Sequence, residues 1–100
     1  MSPPPLAERV ADLAVGVGAN VQPGQIVSIS ADIGMEEVVR EVAAQSYRRG
    51  AKFVDVNYFD PHVKRARIQH ADSDTLEFVP AWYGRRVVEL GQSHAARVVP

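Results

Sequence analysis

The segment 25–58 constrains the fold more than any other part of the chain, because it reads as strand, helix and strand in succession. Residues 25–31 place Ile26, Val27 and Ile29 among serines, a short β-branched run bounded by turn residues, which is strand composition. Over 34–49 the residues Val38, Val39, Val42, Ala43 and Tyr47 recur at helical spacing and form the expected buried stripe. Glu36, Glu37 and Glu41 lie early in this helix and Arg48 and Arg49 in its last turn, as the helix dipole favours. Gly50 stands where a left-handed cap is needed. Phe53, Val54 and Val56 mark a second strand over 51–58. Two strands joined by a helix of this length pair in parallel, with a right-handed crossover.

The flanks add helices and one more strand. Leu6, Val10, Leu13, Ala14 and Val17 form the expected buried face of a first helix, loosened at its end by Gly16 and Gly18. The lead-in 1–5 holds three consecutive prolines and reads as extended. Gln22-Pro23-Gly24 is a turn signal. Asp60-Pro61 supplies an N-cap and a first helical proline for a helix over 61–70, with Val63, Ala66, Arg67 and His70 on or beside one face. Asp72 or Ser73 caps a short turn through Leu76 and Phe78. Pro80 opens a helix that uses Trp82, Tyr83, Val87 and Leu90 and ends at Gly91. A third strand is expected over 95–99. The expected architecture is α/β: a small parallel sheet of three strands with a β-α-β crossover, Rossmann-like, flanked by helices. One domain over 6–100 follows the lead-in. No helix follows Pro100, so apolar surface on the sheet or around Trp82 and Val87 is expected to lie uncovered.

Composition removes several function classes. Eleven basic and twelve acidic side chains give a net charge of −1, which supplies no general pull towards nucleic acid or anionic membranes. The chain has no cysteine, so disulfides, thiolate metal sites and cysteine nucleophiles are excluded, in keeping with a cytoplasmic location. Apolar runs are far too short for a membrane span, and the N-terminus has no signal-peptide pattern.

The residues that could carry chemistry do not assemble into a motif. A zinc-binding helix needs two histidines at i and i+4 with a third ligand near, whereas His62 and His70 are eight apart and His94 is remote in sequence. Between the first strand and its helix, Ser30-Ala31-Asp32-Ile33-Gly34-Met35 has one glycine and no lysine, unlike a phosphate loop. In open parallel sheets ligands bind beyond the carboxyl ends of the strands. Asp32, Asn57 and Asp60 lie there, although Asp32 and Asp60 also stand where helix caps are needed. Arg48, Arg49, Lys52, Lys64, Arg65 and Arg67 read as solvated surface, and Trp82 and Tyr83 as core. No serine, histidine and aspartate arrangement is visible.

Several stretches together resemble a known family. They are Asn20-Val21-Gln22-Pro23-Gly24-Gln25 leading into the first strand, Glu37-Val38-Val39-Arg40-Glu41-Val42-Ala43 running to Tyr47-Arg48-Arg49-Gly50-Ala51-Lys52, and Val54-Asp55-Val56-Asn57-Tyr58 before Asp60-Pro61. His70-Ala71 and Val79-Pro80-Ala81-Trp82 follow in order. At these spacings the chain resembles the N-terminal region of the metallo-aminopeptidases of the aminopeptidase T and aminopeptidase S type. The resemblance implies a cytoplasmic, dimeric exopeptidase that removes N-terminal residues from peptides with a pair of divalent metal ions, zinc, cobalt or magnesium. It implies that the metals activate a bridging water and polarise the scissile carbonyl while a carboxylate shuttles the proton. The family's Glu, His and Asp ligands, and its assisting tyrosine and glutamate, belong to a C-terminal domain without counterpart here. The resemblance therefore assigns this chain no catalytic, cofactor-binding or metal residue. It implies a truncated or separately encoded segment, inactive alone, with peptide substrates reached through the C-terminal domain and neither nucleic acid nor membrane as partner. The alternative is a non-enzymatic α/β ligand-binding or interaction module with Asp32 and Asn57 pointing into a cleft.

Overall fold

Three parallel strands lie in the order β2-β1-β3, with β1 (Ile26–Asp32) between β2 (Phe53–Phe59) and β3 (Ala96–Val98). The structure is a computed structural model that describes residues 5–99. Apart from Pro5, the expected lead-in lies outside the described residues. The helices are α1 (Leu6–Leu13), continued by a π-helical turn (Ala14–Gly18), then α2 (Glu36–Arg48), α3 (Pro61–His70) and α4 (Ala81–Gln92), with a 3-10 turn (Ser73–Thr75) before α4. The β-α-β unit and the three-stranded parallel sheet are as the sequence predicts.

Strand register sorts side chains onto two unlike faces. Val54, Val27 and Ala96 stand in one row across the sheet, and Val56, Ile29 and Val98 in another. These rows meet Val39 and Val42 of α2 and Ala11 and Val15 from the first helix, forming one core. Val27, Ile29 and Val42 are fully buried, and full burial of such a side chain stabilises by about 1.5–3 kcal/mol. Ser46 is buried too, and its hydroxyl donates to the Val42 carbonyl at 2.7 Å. Because side chains alternate along a strand, the opposite face carries Asp55 beside Ser28 and Arg97, and Asn57 beside Ser30.

The turn entering β1 and the end of α2 interlock. Gly24 has φ +80° in the Pro-Gly turn, and its N–H donates to the Gly50 carbonyl at 2.8 Å. Gly50 itself has φ +91°, and a Cβ there would stand 3.1 Å from Pro23 Cα and Cβ. Two left-handed glycines thus allow the backbone of the turn to sit on the cap of α2.

The first helix rotates away from its expected face. Ala7, Ala11 and Val15 are buried, while Leu6, Val10, Leu13 and Val17 are exposed and Ala14 is half-buried. Small alanines permit close approach of α1 to α2, and large residues on that line would hold the helices apart. The π-helical turn then continues the chain to Gly18. Tyr47 also departs from the expected stripe: it is half-exposed, and its hydroxyl accepts from the Val54 N–H at 3.0 Å. That bond occupies a donor on the free side of the edge strand β2.

The other large departure is the α3–α4 hairpin. The helix α3 spans 61–70 as predicted, but neither α3 nor α4 buries any residue. Trp82 is 60% exposed and Tyr83 59%, so neither is core; Val87 is 59% exposed, in line with the uncovered surface expected around Trp82 and Val87. The Trp82 and Tyr83 rings pair edge-to-face, with centroids 6.3 Å apart. α4 runs through Gly91 to Gln92, and the reversal falls at His94 with φ +51°. The Cα radius of gyration is 16.2 Å, against about 13 Å for a compact domain of this length. The hairpin accounts for the difference by projecting from the sheet-and-helix core.

Candidate functional site

The order β2-β1-β3 sends the chain from β1 outward to one side for β2 and back to the other side for β3. The carboxyl ends of β1 and β3 therefore flank a topological switch point, the usual place for a ligand in such a sheet. There β1 ends at Asp32, and Gly34, with φ +96°, turns the chain into α2. Asp32 does not cap that helix. Met35 is the N-cap residue, and Asp32 contributes only its backbone carbonyl, which accepts from the Met35 N–H at 3.2 Å. Glu36 instead folds back, and its carboxylate accepts the Gly34 N–H at 2.9 Å. The Gly34 N–H, then the backbone N–H of Glu36 itself, hold this carboxyl below its ordinary value, with Arg40 assisting against a small opposing effect of burial. The N-terminus of α2, which could have received an external anion, is thus filled by its own side chain.

Asn57 and Asp60, at the end of β2, have separate roles. Asp60 caps α3 as predicted, its carboxylate accepting from the His62 N–H at 2.9 Å. Asn57 turns towards Arg86 of α4. With its amide oxygen oriented to the guanidinium, it accepts from Nη2 at 2.6 Å and Nη1 at 3.2 Å. The same Arg86 Nη2 pairs with the Asp55 carboxylate and lies 3.4 Å from Ser28 Oγ. This cluster on the open sheet face was not singled out from sequence. Its signal is the alternation Val54-Asp55-Val56-Asn57, which puts both polar residues on one face of β2; Arg86 carried no local signal.

The remaining candidates are dispersed. His62 and His70 sit at opposite ends of α3, and His94 lies in the turn after α4, where its carbonyl accepts from Gln25 Nε2 at 2.8 Å. Among the described residues, no three His, Asp or Glu side chains converge as metal ligands would. The described residues do not fit a divalent metal. Arg67 is taken up by the carbonyls of Thr75, Leu76 and Phe78 at 2.8–3.1 Å. Arg48 and Arg49 line a groove of about 430 Å³ between α1 and α2, together with Glu8, Arg9, Asp12 and Gln45. A smaller groove of about 300 Å³ lies within the hairpin, walled by Arg67, Phe78 and Tyr83. Neither groove includes Asp32 or Asn57, the pair on which a binding-module reading depends. No helix among the described residues is long and apolar enough to cross a membrane.

Comparison with known proteins supplies what the geometry lacks. Residues 5–99 match the family model described as thermophilic metalloprotease (M29). The chain is 37% identical to Aminopeptidase AmpS of Bacillus subtilis over 86 residues, which is 86% of this chain and 21% of that protein. It is 35% identical to Aminopeptidase T of Thermus thermophilus over 91 residues, or 91% of this chain and 22% of the relative. The solved structure of wild-type AmpT from Thermus thermophilus superposes with a TM-score of 0.84 at 34% identity, covering 93% of this chain and 23% of that one. The chain thus spans about a fifth of the length of the curated relatives it matches. The family match covers all the described residues, and the matching region is the N-terminal part of the family, so the chain belongs to the M29 family of thermophilic metalloproteases.

Proposed function

We propose that this chain acts as the N-terminal segment of a metal-dependent aminopeptidase that hydrolyses N-terminal residues from peptides, and that it is inactive alone. The observation that carries the reading is the AmpT superposition over 93% of the chain, combined with the absence of a converging ligand set among the described residues. On this reading the divalent ions are zinc, cobalt or magnesium, held outside these residues, and peptide substrates are reached through the part of the relatives that the match does not cover. The full assembly is cytoplasmic and homodimeric. This segment supplies a folded wall, with the α1–α2–sheet core as its rigid part.

A chimera tests the reading. The matching first part of Thermus thermophilus Aminopeptidase T is replaced by this chain, and metal-dependent release of an N-terminal residue from a peptide is measured. Retained activity, lost on chelation, is the expected result. A folded chimera with bound metal and no activity would argue against the segment's assignment.

A further inference from the structure

The α3–α4 hairpin is braced within itself but barely attached to the core. Arg67 Nη2 gathers the carbonyls of Thr75, Leu76 and Phe78 at 3.0, 3.1 and 2.8 Å, which ties α3 to the connection before α4. The hairpin is pinned at its two ends. Where it departs, the Ile33 N–H donates to the Phe59 carbonyl at 3.0 Å. Where it returns, Gln25 Nε2 donates to the carbonyl of left-handed His94 at 2.8 Å. Between those points no residue of α3 or α4 is buried. Among the described residues, Arg86 makes the only side-chain hydrogen bonds from α3 or α4 to the strands, to Asp55, Ser28 and the reoriented Asn57. Arg86 and Asp55 are each about a third exposed, so water and salt reach the pair.

We propose that α3, the 3-10 turn and α4 form one arm that pivots on these two attachment points, with Arg86 as the latch that holds it against the polar face of the sheet. An element braced within itself, pinned at its two ends and with no buried residue in either helix has a defined axis and little packing to fix its angle, which is the condition for hinge motion. Asp55 and Asn57 are adjacent on one strand face, so one guanidinium engages both in a fork. Releasing it would free the arm without disturbing the core rows and would uncover Ser28 and Asp55. The inference is independent of the peptidase reading.

The chain has no cysteine, so two introduced ones give clean labels. Glu37→Cys on α2 and Lys64→Cys on α3, carrying nitroxides, report the distance between core and arm by pulsed electron resonance. The otherwise unmodified chain should give one narrow distribution. Arg86→Met, Asp55→Asn, and 1 M NaCl without either substitution should each broaden it roughly twofold or add a second distance, with helix content by circular dichroism unchanged. A distribution that stays narrow in all three conditions overturns the latch, as does one already broad without them. Loss of helix signal in Arg86→Met would also overturn it, since the arm would then fold on Arg86 instead of swinging on it.

Discussion

The Glu36 carboxylate sits 2.9 Å from the Gly34 N–H, reaching back past the N-cap of its own helix to the residue before it. This contact makes the mouth of the sheet self-contained and predicts a pH response. The Glu36 carboxyl is held below its ordinary value by the Gly34 and Glu36 N–H groups. A carboxyl whose pKa is lowered on folding stabilises the fold above the unfolded-state value, and that contribution disappears as pH falls through the lowered folded-state value. Carbon-detected NMR titration should find Glu36 titrating below its ordinary value, and Glu36→Gln should remove this part of the acid-side loss of stability. A Glu36 midpoint at or above 4.5, its ordinary value, would contradict the contact.

Val42 and Val87 test which apolar residues form the core. Val42 is fully buried between α2 and the sheet, and Val87 is 59% exposed on α4. Val42→Asp should cost about 3 kcal/mol or more, since it places an unpaired charge in the core. Val87→Asp should change stability by no more than about 0.5 kcal/mol. Urea melts of the two variants should separate clearly; equal losses would place α4 in the core.

Gly50 closes α2 with φ +91° against Pro23. Gly50→Ala should destabilise by about 1–3 kcal/mol, through backbone strain and a contact that the turn cannot relieve. A neutral Gly50→Ala in the same melts would show that the turn moves away freely.

Leu13, Val17, Trp82 and Val87 leave apolar surface in water, and patches of this origin drive association. Sedimentation at micromolar concentration should show self-association or a low, broad unfolding transition. Trp82→Lys with Val87→Lys should shift the distribution towards monomer. A monodisperse monomer with a high, cooperative midpoint would contradict this.

The fold was legible where local signals agree. Strand alternation, Gly50 closing α2, the Pro-Gly turn and Asp60 capping α3 each point to the element observed, whereas Asp32, expected as a cap, does not cap α2. The faces were less legible. In α1 the larger residues Leu6, Leu13 and Val17 suggested the buried side, but close packing against α2 selects Ala7, Ala11 and Val15. In α4 the periodicity of Trp82, Tyr83 and Val87 is that of a helix meeting an apolar surface, and the sheet offers it Ser28, Asp55 and Asn57 instead. Periodicity marks an apolar stripe; it does not say whether these residues hold its partner. For the same reason no site could be read: Arg86 meets Asp55 only through tertiary placement, 31 residues away in sequence.

The proposal that the chemistry lies outside this chain is tested most directly by assaying the purified chain itself. Zinc, cobalt or magnesium is added to the chain with an aminoacyl reporter, and metal binding is followed by calorimetric titration in parallel. The expected result is no tight metal site and no cleavage above the metal-only control. Metal-dependent release of the N-terminal residue, abolished by a chelator, would contradict it.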